Sequence, residues 1–279
     1  PGMVISAKGL IDAAPDPTLE QVKEAIKNNI CRCTGYQKIE TAILNAAKML
    51  RENLPVPQDG GSGAIGENLL RVDAKAKVLG TAEYADDIDL PGMVYGSPVR
   101  SKYPRARVLK IHTEKAAALP GVLAVLTAKD VPGSQKIGHL KKDWDVMIPE
   151  GKITHFLGDA VALVAAESKE ALEEAKKLVE VEYEELEAVF DPREAMRDGA
   201  VPVHGGGNIL SVEHLVRGNA DERIKNSKYV VTNHYSTPAT EHAFLEPETA
   251  VALLEEGGVI RIYSGDQGVY QTQKECAEM

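Results

Sequence analysis

A change of hydrophobic periodicity between residues 160 and 186 constrains the fold of this chain more than any other feature. The run AVALVAA at 160–166 is short and apolar throughout, which is typical of a buried strand. Ser168 then precedes apolar residues at helical spacing, and VEVEYEEL at 179–186 alternates apolar residues with glutamates. The helical positions are Ala171, Leu172, Ala175 and Leu178, and the alternating positions are Val179, Val181 and Tyr183. A strand, a helix and a second strand with one solvated face are therefore predicted.

Short apolar segments separated by Pro and Gly predict further strands. These segments are VYGSPVR at 94–100, ARVLKIHT at 106–113, VLAVLT at 122–127 and YVVTNHYSTP at 229–238. ETAVALLEEGGVIRIYSGDQG, at 248–268, predicts a hairpin that turns at Gly257 and Gly258, followed by a helix that begins near Val269. The fold class predicted from these patterns is α+β.

The first 54 residues predict three amphipathic helices. Val4, Ala7, Leu10 and Ile11 recur at helical spacing in the first helix. Thr18 with Gln21 three residues later forms a capping box at the start of the second. The apolar stripe predicted for the third helix is Ile39, Ala42, Ile43, Ala46, Met49 and Leu50, and Pro55 is predicted to end it.

Cys31 and Cys33 lie in NNICRCTGYQ, between the second and third of these helices, where Gly35 can adopt a positive φ. Free cysteines are often small core residues, but two side chains one residue apart on an irregular turn can converge on a single point. That arrangement favours a soft metal ion. Two thiolates fill only half of a four-coordinate site, so the residues alone predict a half site. Cys276, in the last predicted helix, is interpreted as a core residue.

The charge of the chain excludes some classes of partner. A net charge of -10, from 42 acidic and 32 basic residues, argues against nucleic acid, which requires a basic surface. The longest apolar stretch, at 160–166, is too short to span a bilayer, and three cysteines do not make a disulfide framework. We therefore predict a cytoplasmic protein that contacts neither nucleic acid nor membrane.

Two oppositely charged clusters are interpreted as solvated faces rather than binding patches. The basic cluster is Lys102, Arg105, Arg107 and Lys110. The acidic cluster is Glu180, Glu182, Glu184, Glu185 and Glu187.

The stretch PGMVISAKGLIDAAPDPTLEQVKEAIKNNICRCTGYQKIETAILNAAKMLRE resembles the helical iron–sulfur domain of the molybdenum hydroxylases, the xanthine dehydrogenase and aldehyde oxidoreductase family. In that family a C-x-x-C pair directly precedes T-P-G-M, C-R-C-T-G-Y follows about thirty residues later, and all four cysteines hold a 2Fe-2S cluster. The resemblance implies that Cys31 and Cys33 are two of these metal ligands. It places the other two immediately upstream of Pro1, in a parent protein of which this chain is a piece truncated at both ends.

The rest of the chain resembles the following domains of the same family. RVDAKAKVLGTAEYADDIDLPGMVYGSPVRSKYPRARV through FLGDAVALVAAESKEALEEAKKLVEVEYEEL resembles the α/β hammerhead domain, and EHAFLEPETAVA with IYSGDQGVYQTQ resembles the opening of the molybdenum-cofactor (molybdopterin) domain. The implied domains are 1–54 (iron–sulfur, partial), 55–66 (linker), 67–200 (hammerhead) and 201–279 (cofactor domain, partial).

Gln267 is the candidate contact to the molybdenum cofactor. The family usually has Ser-Thr before a glutamine whose amide approaches the metal's oxo group, whereas here Gly265 and Asp266 precede the matching Gln267. The residues by themselves also fit an ordinary helix cap formed by Asp266.

A twelve-residue linker, PVPQDGGSGAIG, follows the helical segment and can reach at most roughly 40 Å. It leaves no room for the flavin domain that some family members insert at this point. The resemblance therefore implies a separate flavin subunit or another electron carrier as partner.

The resemblance implies hydroxylation of a purine, xanthine or hypoxanthine, with water as the oxygen source and electrons leaving through iron–sulfur clusters. Molybdenum would serve as the Lewis acid and generate the nucleophile. RSKYPRARV, KIGHLKKDWDV and VEHLVRGNAD look most like the bacterial selenium-dependent xanthine dehydrogenases, and an aldehyde oxidoreductase of the same family is the alternative.

The general base of the family is a glutamate whose motif is expected beyond Met279, so the isolated chain is expected to be inactive. A different class of function stays open: an inactive fragment with a scaffold or assembly role. Another possibility is that Cys31 and Cys33 bind zinc together with ligands from another chain.

Overall fold

The computed structural model describes residues 2–56, 63–67, 69–240 and 246–279. Helices and strands are both present, which confirms the α+β prediction. The chain forms two compact units, Pro1–Ile88 with Thr237–Gly265 and Asp89–Ser236 with Asp266–Met279. The domain boundaries predicted above stay predictions, and residues 57–62 of the predicted linker lie outside the described residues.

Three helices form the core of the first unit: α1 (Gly2–Ala13), α2 (Leu19–Ile26) and α3 (Gln37–Arg51). The predicted capping box is confirmed, because the Thr18 hydroxyl accepts from the Gln21 amide at 3.3 Å and the Gln21 side chain accepts from the Thr18 amide at 2.8 Å. The buried apolar residues that the three helices share are Ile11, Val22, Ile26, Ile43 and Ala47.

The third helix differs from its prediction in two respects. Its buried positions are Ile43 and Ala47, whereas Leu50 is exposed. The helix ends at Arg51, because Asn53 adopts a positive φ of 50° and the Leu54 amide turns back to the Met49 carbonyl at 2.9 Å. The prediction that Pro55 ends this helix was therefore wrong, since a local C-terminal turn ends it first.

The second unit carries most of the strands. They are β1 (Tyr95–Arg100), β2 (Ala106–His112), β3 (Val122–Thr127), β4 (Lys136–Ile137), β5 (Trp144–Asp145), β6 (Ala160–Ala166) and β7 (Glu180–Glu185). Its longer helices are α6 (Lys169–Leu178) and α9 (Val269–Glu278). The short helices of the chain are α4 (Ala74–Leu79) in the first unit and α5 (Glu114–Ala117), α7 (Pro192–Ala195) and α8 (Ala220–Lys225) in the second.

The predicted strand, helix and strand are confirmed as β6, α6 and β7, with the Ser168 hydroxyl capping α6 through the Ala171 amide at 3.1 Å. The two strands join different sheets. β6 is the centre of an antiparallel sheet in the order β1-β6-β3, whereas β7 pairs with β2. α5 and α6 pack against the three-stranded sheet. The largest buried apolar side chains between these elements are Val108, Ile148, Val161 and Val164.

The two charged clusters lie opposite each other on β2 and β7. Their antiparallel register pairs Arg107 with Glu184 and Lys110 with Glu182. The Arg107 Nε lies 3.0 Å from Glu184 Oε2, and His112 Nε2 lies 2.7 Å from Glu182 Oε1. The interpretation as solvated faces holds, because these four side chains are 40–61% exposed, and the structure adds one ion pair between the clusters, Arg107 with Glu184.

The predicted hairpin is confirmed as β8 (Ala250–Leu254) and β9 (Ile260–Ser264), which pair antiparallel. Gly257 and Gly258 both adopt positive φ, at 82° and 80°, so glycine is required at this turn. The strand predicted at 229–238 was wrong. These residues make no ladder with any described strand, and Val231 and Tyr235 are exposed, so their β propensity has nothing to pair with.

Among the described residues, the helices are all too short or too polar to cross a membrane.

Candidate cluster and cofactor sites

The cysteine pair lies on an irregular turn between α2 and α3, as predicted. Gly35 has the expected positive φ of 65°, and Tyr36 unexpectedly has one as well, at 66°. A positive φ is uncommon for a residue with a side chain, so the turn is held by specific contacts. Cys33 is exposed and Cys31 is partly buried. Both thiols are therefore available to a ligand.

The Tyr36 side chain provides two of these contacts. Its hydroxyl accepts a hydrogen bond from the Cys31 amide at 2.7 Å and donates one to the Asn29 carbonyl at 3.3 Å. Its ring packs against the core that α1, α2 and α3 share. Tyr36 therefore connects the backbone of the cysteine turn directly to the helical core.

The sulfur of Cys31 is surrounded by hydrogen-bond donors. The Thr34 hydroxyl donates to Cys31 Sγ at 3.3 Å, and this bond is the main cause that lowers the pKa of the Cys31 thiol. The backbone amides of Cys33 and Thr34 lower this pKa further. Because the thiolate is the form that ligates metal, the turn favours the protonation state that a ligand needs.

The donor set fits one half of a 2Fe-2S site. Cysteine thiolates are the usual ligands of such clusters, and four are required. The described part of the chain contains no group of three or more His, Cys, Asp or Glu side chains that could hold a metal by themselves. Cys31 and Cys33 therefore provide two ligands, and their assignment to the cluster stays a prediction.

Gln267 lies two residues before α9 and is exposed. The Asp266 carboxylate accepts from the Gly268 amide at 2.8 Å, which orders the backbone on either side of Gln267. This contact is a local turn before α9 and not a helix cap, because the N-cap residue is Gly268 and it has no side-chain cap, so the helix-cap interpretation of Asp266 was wrong. The exposed carboxamide fits a polar contact to a cofactor, and its role stays a prediction. Residues 241–245 of the EHAFLEPETAVA motif lie outside the described residues.

Cys276 is partly buried in α9, so the prediction that it is a core residue is only partly met.

The second unit also has a cleft of about 820 Å³, whose lining includes Arg105, Lys152, His155 and Phe190. Cys31, Cys33 and Gln267 do not line this cleft. The sequence did not identify Thr34 and Tyr36 as functional residues. The available signal was their position in the C-R-C-T-G-Y motif, within three residues of Cys33.

Comparisons with known proteins agree with this layout. A family model described as 2Fe-2S binding domain matches residues 1–44. The model for the a/b hammerhead domain of aldehyde oxidase and xanthine dehydrogenase matches residues 79–187, and the molybdopterin cofactor-binding domain model matches residues 203–279. The three matches follow one another in the predicted order and include all three candidate residues.

Individual relatives agree with the family models. The chain is 38% identical to the xanthine dehydrogenase molybdenum-binding subunit of Escherichia coli over 71% of this chain and 27% of that protein. It is 35% identical to the nicotinate dehydrogenase large molybdopterin subunit of Eubacterium barkeri over 77% of this chain and 50% of that protein. The solved aldehyde oxidoreductase from Desulfovibrio gigas is similar with a TM-score of 0.76 and 30% identity, over 95% of this chain and 31% of that chain.

Matches to a 2Fe-2S binding domain, a hammerhead domain and a molybdopterin cofactor-binding domain in one chain define the molybdenum and iron–sulfur class of proteins. The chain belongs to the xanthine dehydrogenase and aldehyde oxidoreductase family of molybdenum hydroxylases. It spans half or less of the length of the relatives named above.

Proposed function

We propose that this chain is part of a molybdenum hydroxylase that oxidises purines, with Cys31 and Cys33 as 2Fe-2S ligands and Gln267 as a contact to the molybdenum cofactor. The observation that carries the proposal is the Cys31 turn, where a hydroxyl and two amides surround a thiol next to an exposed second cysteine. A core cysteine would not need such donors.

The start of α1 supports the expected position of the other two cluster ligands. The Asn29 side chain donates to the Ser6 hydroxyl at 2.9 Å, which joins α1 to the residue two positions before Cys31. A Cβ on Gly2 would overlap the Asn29 side-chain oxygen, so the first turn of α1 also lies against this segment. In the family pattern the missing pair directly precedes T-P-G-M, whose last three residues match Pro1, Gly2 and Met3. Cysteines there would lie next to the Cys31 turn.

The residues of this chain have positioning roles in this scheme. When bound, the molybdenum cofactor supplies Lewis-acid chemistry and generation of the nucleophile. Thr34 stabilises the Cys31 thiolate, and Tyr36 fixes the backbone of the turn. The Gln267 amide can donate a hydrogen bond to an acceptor oxygen on the cofactor.

The choice of purine rests on the names of the relatives. Xanthine dehydrogenase and nicotinate dehydrogenase relatives are 38% and 35% identical to this chain, compared with 33% for an aldehyde oxidoreductase relative. Xanthine and nicotinate are both nitrogen heteroaromatic compounds with electron-poor ring carbons. An aldehyde substrate is the second candidate, because the aldehyde oxidoreductase structure matches over 95% of this chain.

The same names support a multi-subunit assembly, since two relatives are described as subunits. We propose that electrons leave through the iron–sulfur clusters to a separate flavin subunit or another carrier.

The cluster assignment is tested in the full-length parent by iron analysis and visible absorption. Cys31→Ser and Cys33→Ser should each remove about two iron atoms per protein, which is one 2Fe-2S cluster. Cys276→Ser is the matched control and should retain full iron. Normal iron in both variants would mean that the ligands are wrong. Zinc in place of iron would establish the zinc alternative, and a parent with neither metal would favour a scaffold role.

The substrate is tested by anaerobic turnover of the parent with a dye as electron acceptor. Hypoxanthine and xanthine should have higher kcat/KM than nicotinate or a panel of aldehydes. A parent that oxidises only aldehydes would move the assignment to the second candidate. Preference for nicotinate would retain the heteroaromatic class and reject the purine.

A further inference from the structure

The Thr34 hydroxyl is placed so that its proton points at the sulfur of Cys31. Its oxygen accepts a hydrogen bond from the Tyr36 amide at 3.2 Å and lies 3.3 Å from Cys31 Sγ. A hydroxyl has one proton to donate and accepts at its lone pairs. Because the Tyr36 amide occupies a lone pair, the proton is left for the sulfur, which is the acceptor that the described residues offer it.

Tyr36 fixes the other end of this short chain of hydrogen bonds. It is the N-cap residue of α3, and its backbone has a φ of 66°. Its own hydroxyl accepts from the Cys31 amide at 2.7 Å. Tyr36 therefore acts on Cys31 twice, on the backbone through its hydroxyl and on the sulfur through the Thr34 hydroxyl that its amide orients.

The second cysteine has a different environment. Cys33 is exposed, and within the described parts of the chain no side chain donates to its sulfur. The Thr34 hydroxyl is therefore directed at one of the two candidate ligands. Since the Tyr36 hydroxyl already holds the backbone at Cys31, the bond from Thr34 to the sulfur can serve the chemistry of the ligand.

A hydrogen bond to a ligating sulfur affects the two redox states of a cluster unequally. Reduction of a 2Fe-2S cluster adds one electron, and the added negative charge is shared with the thiolate ligands. A donor at the sulfur stabilises the more negative, reduced state more than the oxidised state. Such a hydrogen bond therefore raises the reduction potential of the cluster.

We propose that the Thr34 hydroxyl raises the reduction potential of the 2Fe-2S cluster through its hydrogen bond to Cys31 Sγ, with the Tyr36 amide orienting the hydroxyl. Thr34 is a positioning residue, because it acts on the cluster through Cys31. The inference rests on the proposed cluster ligands and adds control of electron transfer to them. A higher potential favours the transfer of one electron to the cluster from the reduced molybdenum cofactor, which is oxidised by one electron.

The test is a redox titration of the full-length parent that follows the electron paramagnetic resonance signal of the reduced cluster. The signal to follow is the one that Cys31→Ser removes. Thr34→Val keeps the shape of the side chain without the donor, so the ratio of reduced to oxidised cluster at a fixed potential should fall about tenfold. For a one-electron couple this is a shift of about 59 mV to lower potential. Thr34→Ser retains the hydroxyl and should titrate close to wild type.

Two controls separate the donor from other effects of substitution. Thr41→Val makes the same change on α3, where the Thr41 hydroxyl donates to the Gln37 carbonyl at 2.9 Å, and it should leave the potential unchanged. Tyr36→Phe loosens the turn but retains the Thr34 hydroxyl and the Tyr36 amide. The cluster that it binds should therefore titrate close to wild type.

An unchanged potential in Thr34→Val overturns the inference, and so does an equal shift in Thr34→Ser. An equal shift in Tyr36→Phe also overturns it, because the order of the turn and not the donor would then set the potential. Thr34→Ala is the second variant without a donor, and it should shift in the same direction if Thr34→Val binds too little iron to titrate. A cluster signal that survives in Cys31→Ser means instead that the ligand assignment has failed.

Discussion

Replacing Tyr36 by Phe should loosen the Cys31 turn without disturbing the helical core. The ring that packs against α1, α2 and α3 is retained, and only the hydroxyl is lost. That hydroxyl makes two hydrogen bonds, to the Cys31 amide at 2.7 Å and the Asn29 carbonyl at 3.3 Å. At ~0.5–1.5 kcal/mol each, the local loss is roughly 1–3 kcal/mol. The lost Cys31 contact leaves a part-buried amide without its partner, which places the expected value near the middle of this range.

The assay is hydrogen exchange at the Cys31 amide, followed by iron content of the parent after cluster reconstitution. A local loss of about 2 kcal/mol predicts roughly 30-fold faster exchange. Iron should load more slowly or incompletely, because the turn must then be ordered by the cluster itself. Tyr229→Phe is the control, since Tyr229 is 78% exposed and lies far along the chain, under Lys228. Exchange at Cys31 that is unchanged in Tyr36→Phe would refute the role given to this hydroxyl.

Three further predictions concern the second unit. Thr154 is 1% exposed, and its hydroxyl accepts from the Ala106 amide at 2.9 Å, so Thr154→Val should destabilise the protein by about 1–3 kcal/mol in urea unfolding. Thr154→Ser should lose less than Thr154→Val, and the reverse order would contradict the hydrogen-bond explanation. Exchanging Arg107 and Glu184 should cost at most about 1 kcal/mol, with most of the loss in either single variant removed by high salt. The Arg193 side chain holds the pKa of Asp191 at about 2, below its ordinary 3.8. The carboxylate therefore stabilises the native state above about pH 4, and this contribution is lost as the pH falls toward about 2. The unfolding midpoint of Asp191→Asn should be lower than wild type near neutral pH and converge with it in that acidic window, and a constant difference would contradict the assignment.

Local patterns in the sequence determined most of the elements of this protein. The run at 160–166, the helical spacing after Ser168 and the alternation at 179–186 each appear as predicted, because their periodicity matches the geometry of one element. The capping box at Thr18 and the hairpin glycines were also readable, since each depends on residues within a few positions. The cysteine turn and the Gln267 motif were found in the same way, as short patterns that belong to a known family.

Contacts between distant segments were decided only by the tertiary structure. Arg107 and Glu184 are 77 residues apart, and the residues around them do not indicate that the basic and acidic clusters pair with each other. The strand predicted at 229–238 did not form because β propensity describes a residue and a strand also requires a neighbour. A local pattern specifies which hydrogen-bonding groups a segment exposes, and the folded chain decides which groups they meet.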